Sequence, residues 1–503
     1  MIATPKQQII RNGLILDPES RSIEPADVLI KGDAILELGA PGMDAPEDAV
    51  VIDASDRLLM PGLVNAHTHG HGSLSKGYGD KWSLELLLNA APWIGGGLTL
   101  EGQYLAARLN ATEMVLKGCT AAYDMFFQFP KPSLESISAV TSGYMDVGIR
   151  ATIAPMMADT TFYTAIPGLL DSLPEPHRSH AAALKAAPWE DHIAGCRALL
   201  QDWPGDRERV RPALGPTIPM HCTDDFIRAC RDLAQDYEVG LQMHLGESKL
   251  QAIAGLKRYR KTLTAHLDDL GLIGQNFTGA HCIWLDEDDV QRMADRGANI
   301  AHNPGSNLRL GNGVAPVRRM LNAGVTVGIG TDGSSSGDHQ NMVEAMRMAA
   351  FASRLMEIDP ESWLSSWDVL RAGTLGGAAL LGMAGQIGRI APGYKADLVL
   401  VDLTNVAFVP LNDVANQTVN CADGSAIDSV MIGGRMVLEG RRFTSLDFEG
   451  LRRDAQTMAE TLRARNADIR GRMDAMAVFV SQHCVGLACE GYHTHRRIDE
   501  WRA

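Results

Sequence analysis

The chain lacks the features of membrane and secreted proteins. It has no apolar run of about 18 residues, so no transmembrane helix is expected. Its first residues do not place basic side chains ahead of an apolar run, which is atypical of a signal peptide. Its eight cysteines show no paired spacing and indicate reduced thiols rather than disulfides. We therefore expect a cytoplasmic protein without membrane spans.

Basic charge is also scarce. Lys and Arg number 46 against 61 Asp and Glu, which gives a net charge of −15 over 503 residues. Surfaces that bind nucleic acid or anionic membranes need basic patches, so neither partner is expected. The length predicts one large domain with a smaller one beside it.

What the chain does contain is a regular alternation of strand-like and helical patterns. Residues 8–60 resemble short strands with hairpin turns such as Asn12-Gly13. Apolar runs and amphipathic helical patterns then alternate, which predicts a parallel sheet. The number of units fits an eight-stranded α/β barrel, with an open doubly wound sheet as the alternative. Later β-rich residues are expected to join the first strands in one small β-domain.

These changes of pattern predict four segments. The barrel should lie between the two parts of the β-domain, and a helical extension should follow, irregular from residue 478. The predicted bounds are 1–60 for the first part of the β-domain, 61–387 for the barrel, 388–446 for the second part and 447–503 for the extension and tail.

A histidine-rich motif, PGLVNAHTHGHG at residues 61–72, follows a proline-glycine turn. His67 and His69 are two residues apart, so on a strand both rings point to the same face and can hold one metal ion. The carboxyl ends of barrel strands carry the active site. His71 has the same spacing but is flanked by glycines, so we expect it to line the site or face solvent.

More ligands are needed, because such a site takes three or more from the protein and keeps one position open. Three further predicted strands end in suitable residues. His244 and Glu247 follow VGLQM, His281 ends TGAH, and Asp332 ends GIGTD. Any one of them alone is more often a buried core or capping residue. Their shared position at strand ends predicts one cluster on one face of the barrel.

The cluster suits metal-dependent hydrolysis. A divalent metal lowers the pKa of water to give a nucleophile. Imidazoles with one carboxylate suit Zn²⁺, and also Fe²⁺, Mn²⁺ or Co²⁺. We expect Asp332 to bind the metal and take a proton from water, and His281 to orient the water or the intermediate. Glu247 is predicted to carry that proton to a ring nitrogen and leaving group.

Several motifs together resemble the amidohydrolase superfamily, over residues 8–445. They are PGLVNAHTH, HLGES, GAHC, AHNPGSNLRLGNGVAPVRRMLNAGVTVGIGTDG and GRIAPGYKADLVLVDL. The resemblance is closest to the branch that contains chlorohydrolases, guanine deaminase, cytosine deaminase and S-adenosylhomocysteine/methylthioadenosine deaminases. The motifs are specific for fold and metal chemistry and much less so for substrate.

The resemblance implies a distorted (β/α)8 TIM barrel with a composite β-sandwich built from both chain ends. It implies that Glu247 and His281 act on substrate and water, and that one metal ion is held by His67, His69, His244 and Asp332. A binuclear site would place a carboxylated lysine in residues 209–222, which contain none. A mononuclear site is therefore expected, and by family analogy a homo-oligomer.

Substrate contacts are less clearly marked. Related deaminases often have a histidine after the Gly-Pro of residues 209–222, where this chain has Thr217, with His221 four residues later. This difference argues against a nucleoside-type substrate. Trp93 either stacks on a base or packs in a lid over the pocket. The other candidates for substrate contact are His302, Ser306 and His339.

The leading hypothesis is a metal-dependent aminohydrolase that displaces ammonia from a small amino-substituted heterocycle: a purine, pterin, pyrimidine or triazine. The alternative is hydrolysis of another C–N or C–Cl bond at the same site, in an alkylamino- or chloro-triazine, urea, carbamate or amide. A non-catalytic scaffold would lack ligands, and none is missing. In the tail, His493 and His495 repeat the His-x-His spacing, but packing is expected there rather than a second metal.

Overall fold

The computed structural model describes residues 7–128 and 130–497, which form an eight-stranded and a nine-stranded sheet. The strands are β1 (Gln7–Asp17), β2 (Ser22–Lys31), β3 (Ala34–Gly39), β4 (Val50–Asp53), β5 (Arg57–Pro61), β6 (Leu63–Thr68), β7 (Cys119–Phe127), β8 (Arg150–Met157), β9 (Val210–Pro216), β10 (Gly240–Leu245), β11 (Phe277–His281), β12 (Asn299–His302), β13 (Thr326–Ile329), β14 (Leu398–Asp402), β15 (Ile427–Ile432), β16 (Arg435–Glu439) and β17 (Arg442–Phe443).

Helices connect and cover these strands. They are α1 (Leu84–Ile94), α2 (Leu100–Leu116), α3 (Leu134–Val147), α4 (Phe162–Ala165), α5 (Leu169–Ser172), α6 (His177–Ala183), α7 (Trp189–Gln201), α8 (Asp224–Asp236), α9 (Lys249–Tyr259), α10 (Leu263–Asp269), α11 (Glu287–Asp295), α12 (Pro304–Arg309), α13 (Val317–Asn322), α14 (Met342–Ser353), α15 (Ser366–Arg371), α16 (Gly377–Leu380), α17 (Val414–Asn420), α18 (Phe448–Arg465) and α19 (Ala467–Ala488). Within the described ranges, none of them combines the length and apolarity that a membrane crossing requires.

Strands β6 to β13 lie side by side in chain order, each parallel to the next. The first and last strands of this series approach each other, since the Asp332 N–H donates to the His67 carbonyl at 3.0 Å. The ring is thus nearly closed, and the predicted (β/α)8 barrel is confirmed. The alternative of an open doubly wound sheet is wrong.

The second sheet is built from both chain ends, in the order β17-β16-β15-β14-β5-β1-β2-β3, with β4 beside β1. The two ends join where β14 pairs antiparallel with β5. Its interior is a separate hydrophobic cluster that includes Ile10, Val28 and Leu398. The predicted composite β-domain is confirmed, although β1 pairs parallel with β4 and β5. The segment boundaries at residues 60, 387 and 446 stay predictions.

Two details of the sequence-based expectations are wrong. Helix α19 continues to Ala488, past the predicted start of irregular chain at residue 478. Its buried residues Met476, Val480, Cys484 and Leu487 recur at helical spacing, which explains why the helix persists. The other detail is the N-cap of α14. The sequence of residues 334–341 suggests Asp338 for this position, but the side chain that accepts the first free N–H groups of the helix is that of Asn341.

Candidate metal centre

The carboxyl ends of three barrel strands meet at one cluster of four side chains. His67 lies in β6 and His69 directly follows it, while His244 lies near the end of β10. Asp332 stands three residues after β13. All four are buried or nearly so. Parallel strands of a barrel end on the same rim, so residues far apart in the chain are brought together there.

The spacing of the donor atoms fits one metal ion. The Nε2 atoms of His69 and His244 are 3.1 Å apart. The Asp332 Oδ1 atom is 3.5 Å from His67 Nε2 and 3.3 Å from His69 Nε2. Ligands about 2.1 Å from a tetrahedral ion stand about 3.4 Å from one another. Within the described residues, His67 Nε2 is buried and has no hydrogen-bond partner, as expected of an atom that faces a metal.

The other ring nitrogen of each histidine is fixed by an oxygen acceptor. His67 Nδ1 donates to Gln242 Oε1 at 2.6 Å, and His69 Nδ1 donates to the Met125 carbonyl at 2.7 Å. His244 Nδ1 donates to the Thr217 carbonyl at 2.7 Å. Because Nδ1 carries the proton in each neutral ring, each Nε2 presents a lone pair to the cluster.

Burial favours the neutral form of two of these rings, those of His69 and His244. It lowers the pKa of His69 to about 4 and that of His244 well below its ordinary value. For Asp332, burial alone would raise the pKa, but the close approach of His67, His69 and His281 holds it well below its ordinary value. The donor set is therefore three imidazoles and one carboxylate, which suits a divalent transition metal.

Glu247 and His281 stand beside this donor set. His281 Nε2 is 3.7 Å from Glu247 Oε2 and 4.0 Å from Asp332 Oδ2. Glu247 Oε1 accepts a hydrogen bond from the Asn312 amide at 3.2 Å. Burial, with the nearby carboxylates of Asp332 and Glu85, raises the pKa of Glu247 well above its ordinary value. A carboxyl group in such surroundings suits proton transfer near neutral pH.

His71 lies next to the cluster, but its Nδ1 atom accepts a hydrogen bond, whereas the Nδ1 atoms of His67, His69 and His244 donate one. Its Nδ1 accepts a hydrogen bond from the Phe127 N–H at 3.2 Å, so Nε2 carries the proton in the neutral ring. Its centroid is 5.4 Å from that of His69. His71 is part of a 3₁₀ turn, Gly70–Ser75. Of the two positions expected for it, lining the site or facing solvent, it takes the first.

The residues predicted to contact substrate on the fourth barrel strand have mixed positions. Thr217 contributes its carbonyl, which accepts from both the ring and the backbone N–H of His244. Through its carbonyl, Thr217 therefore orients His244, a predicted metal ligand. This role differs from the substrate contact that the sequence predicts for Thr217. His221 is buried, with its ring centroid 6.3 Å from that of Phe162, and burial lowers its pKa to about 4.

Of the other predicted contacts, His302 and Ser306 are the better placed. His302 is buried near His281, and burial lowers its pKa to about 3. Within the described residues, His302 Nδ1 and Ser306 Oγ are buried without hydrogen-bond partners. His339 is a third exposed, and its Nε2 lies 3.1 Å from Glu344 on α14, so its contacts do not join it to the histidine cluster.

Trp93 is buried in an aromatic group on α1. Its ring contacts Tyr78 edge-on at 5.0 Å between centroids and Trp82 at 6.0 Å. The guanidinium of Arg470, from α19, lies 4.8 Å from the centroid of Trp93. These contacts favour the predicted packing role over base stacking.

Four polar residues outside the set of predicted site residues support the site. Gln242 holds His67 and also donates to the Ala66 carbonyl. Asn307 accepts the His281 Nδ1–H at 2.8 Å. Gln242 shares its strand face with His244 two residues later, and this spacing is the one signal that points to it. The others are Asn312 and Glu85, and Glu85 accepts from the Ser248 hydroxyl.

Replacing Gln242 with leucine is expected to weaken metal binding by about 10–100-fold, because His67 Nδ1 loses the acceptor that fixes its tautomer. Competition against a chelator of known affinity measures the loss. Gln8→Leu is the matched control, since Gln8 is a buried glutamine in β1 whose amide donates to Gly434 in the other sheet. Equal metal affinity in the two variants would contradict this role for Gln242.

Comparison with known proteins bears directly on this site. A family model described as the amidohydrolase family matches residues 58–437. A 5'-deoxyadenosine deaminase of Methanosarcina mazei is 31% identical over 461 residues, which cover 91% of this chain and 98% of that protein. A 5-methylthioadenosine/S-adenosylhomocysteine deaminase of Syntrophomonas wolfei is also 31% identical, covering 90% of this chain and 99% of its own.

Solved structures agree with the sequence comparison. An adenosine deaminase from Xanthomonas campestris with bound zinc superposes with a TM-score of 0.81 at 27% identity, covering 92% of this chain and 100% of that one. An atrazine chlorohydrolase from Arthrobacter aurescens complexed with zinc gives 0.80 at 27% identity, with coverage of 90% and 99%.

Proposed function

Because this chain belongs to the amidohydrolase family, and is a metal-dependent hydrolase of small molecules acting on C–N bonds, we propose that its reaction is the deamination of an amino-substituted nitrogen heterocycle. The observation that carries the proposal is the placement of Glu247. Its carboxyl group lies 3.7 Å from His281 and faces the predicted metal ligands, with a raised pKa. Replacement of an aromatic amine by water requires a protonated ring nitrogen, and a carboxyl group held in this way can supply the proton.

We assign the metal site to the donor set with the matching spacing, namely His67, His69, His244 and Asp332. When bound, the divalent ion supplies the Lewis acidity that lowers the pKa of a water molecule. Three neutral imidazoles and a carboxylate favour Zn²⁺. The zinc in the two similar structures supports the same choice.

The two oxygens of Asp332 are assigned different tasks. Oδ1 lies on the side of His67 and His69 and accepts the Gly333 N–H at 2.7 Å. Oδ2 faces His281, 4.0 Å away, and is the oxygen that takes a proton from the attacking water. The lone pair on His281 Nε2 accepts a hydrogen bond from that water, because Nδ1 is committed to Asn307.

Glu247 is assigned the transfer of a proton to the substrate. It delivers a proton to the ring nitrogen beside the carbon that bears the amino group, which makes that carbon electrophilic. The carboxylate left on Glu247 is held by the Asn312 amide at 3.2 Å. The proton taken up by Asp332 passes to the amino group, which departs as ammonia. The carboxylate of Glu247 takes up the remaining proton of the added hydroxyl group, so that Glu247 is protonated again and the heterocycle is left with a carbonyl oxygen.

The relatives favour one class of heterocycle. The named deaminases act on 5'-deoxyadenosine, methylthioadenosine or S-adenosylhomocysteine, which supports 6-aminopurine nucleosides as the first class for this chain. Thr217, where related deaminases often have histidine, was predicted to disfavour that class. The contact that Thr217 makes at the site uses its carbonyl, which orients His244. A threonine side chain in place of histidine does not affect this contact.

Displacement of chloride or an alkylamine is the second candidate function. The similarity to the atrazine chlorohydrolase supports it, at 27% identity over 90% of this chain. The same proton from Glu247 would activate the ring of a triazine, and the departing group would be chloride or an alkylamine instead of ammonia.

A homo-oligomer and a cytoplasmic location also stay predictions.

A substrate panel tests the proposal. Zinc-loaded protein of verified metal content is assayed for ammonia with adenosine, 5'-deoxyadenosine, methylthioadenosine, S-adenosylhomocysteine, guanine, pterins, cytosine and aminotriazines. We expect ammonia release, largest with a 6-aminopurine nucleoside. Release of chloride or alkylamine from substituted triazines, without ammonia from any amino-heterocycle, would support the second candidate. Silence of the whole panel would contradict both.

A further inference from the structure

The C-terminal extension lies on the face of the barrel that carries the metal centre. Helix α19 packs on α1, α5 and α9, which follow the carboxyl ends of β6, β8 and β10. The Asn89 amide of α1 donates to the Met473 carbonyl of α19 at 2.9 Å. Beyond α19, residues 489–497 continue across the loops that follow β11 and β12.

Arg496 is the anchor of this last segment. Although it is an arginine near the end of the chain, it is 8% exposed. Its Nε donates to the Ile283 carbonyl at 2.9 Å, and one terminal nitrogen donates to the Leu285 carbonyl at 2.6 Å. The planar guanidinium thereby bridges two carbonyls of the loop that follows His281, a geometry that suits arginine and not lysine.

The backbone of Arg496 joins a second loop to the first. Its carbonyl accepts the Val314 N–H at 2.9 Å. Gly313 has φ +123°, and a Cβ placed there would lie 2.8 Å from the Arg496 carbonyl oxygen, so this approach requires glycine. The Asn312 carbonyl in this loop accepts the Trp284 indole N–H at 2.9 Å, and the Asn312 amide holds Glu247.

The loop after β11 has a backbone that needs such support. His281 and Cys282 have φ values of 70° and 50°, in the left-handed region that L-residues avoid. The Cys282 N–H donates to the Leu245 carbonyl at 3.0 Å, and the N–H groups of Ile283 and Trp284 donate to Gly246. Strained backbone persists when its surroundings hold it in place, and these bonds with those of Arg496 do so.

We propose that Arg496 is a positioning residue for the reaction: by clamping the loops after β11 and β12, it sets His281 and Glu247 at the distance that proton transfer needs. The extension is then a working part of the active site. This inference rests on the proposed function, because it takes His281 and Glu247 as the groups that act on water and substrate.

Arg496→Ala is expected to lower kcat by about 10–100-fold, since a displacement of about 1 Å costs up to about 10²-fold. KM should change far less, and the metal content should stay at the wild-type value, because the guanidinium of Arg496 binds carbonyls of the loop after β11 and the predicted ligands lie on other strands. Hydrogen exchange followed by mass spectrometry should show faster exchange of the Cys282, Ile283 and Trp284 amides. This second readout does not depend on any substrate.

Two further comparisons separate positioning from general stability. Arg472→Ala removes an exposed arginine from α19 and should match the wild type. Guanidinium ion at millimolar concentration should restore part of the lost kcat in Arg496→Ala, because it can occupy the vacated site, and should not affect Arg472→Ala. Arg496→Lys should recover less than guanidinium, since an ammonium group does not bridge two carbonyls in one plane.

Loop exchange and kcat of Arg496→Ala together show whether Arg496 clamps the loops. Faster loop exchange with a guanidinium-reversible loss of kcat supports the clamp. Unchanged loop exchange overturns it, as does a loss of kcat that follows metal loss or a lowered melting temperature and resists guanidinium. If no substrate is turned over at all, the proposed function fails, and the exchange of the loop amides still decides whether Arg496 holds the loop.

Discussion

Replacing Glu247 with glutamine should lower kcat by about 10²–10⁴-fold while one metal ion stays bound, the range expected when a general acid–base group is removed. Glutamine keeps the size of the side chain and its contact with Asn312, but it cannot deliver a proton to the ring nitrogen. Glu247 is not among the four predicted ligands, so the metal should be retained. Turnover and metal content are measured on the same preparation.

Glu439→Gln provides the matched control, because Glu439 is an exposed glutamate at the end of β16 in the other sheet. It should behave like the wild type. If Glu247→Gln kept nearly full activity, the assignment of proton transfer to this residue would be wrong. If instead the variant lost its metal, Glu247 would belong to the donor set, and the role given to it above would have to be replaced.

Asp332→Asn should abolish both metal binding and activity. An asparagine has the same shape but supplies no negative charge, and three neutral imidazoles would then face the ion without a carboxylate. The same change removes the oxygen proposed to take the proton from water. The loss of metal affinity should exceed the roughly 10–100-fold effect expected for Gln242→Leu, which disturbs only an outer contact. Elemental analysis after dialysis gives the number of ions per chain.

The exposed residue Asp225 on α8 supplies the control, and Asp225→Asn should keep metal and activity. A variant that kept a full metal ion but lost activity would restrict Asp332 to proton transfer. A variant that kept both would remove Asp332 from the site.

Much of the fold and site could be predicted from the sequence because the relevant signals are local. The apolar strands that end at His244 and His281 are short and uninterrupted, and each strand end lies on the same rim of the barrel. The two-residue spacing of His67 and His69 is likewise visible in one motif. A resemblance to the amidohydrolase superfamily drawn from these motifs is confirmed by the match over residues 58–437.

The rest depends on contacts between distant parts of the chain. Gln242 meets His67 across 175 residues, and Asn312 meets Glu247 across 65. Arg496 reaches the Ile283 carbonyl across 213 residues. A glutamine, an asparagine or an arginine in a single sequence has no periodicity that marks such a partner. For the tail, the sequence therefore indicates packing alone, and its contact with the loops after β11 and β12 is visible only in the three-dimensional structure.

Anomalous diffraction at the zinc absorption edge, on crystals of the zinc-loaded protein, tests the central claim most directly. We expect one peak per chain, about 2.0–2.2 Å from the Nε2 atoms of His67, His69 and His244 and from a carboxylate oxygen of Asp332. Two adjacent peaks at the barrel rim, or a peak at His493 and His495 with none at the rim, would contradict a mononuclear centre built from these four residues.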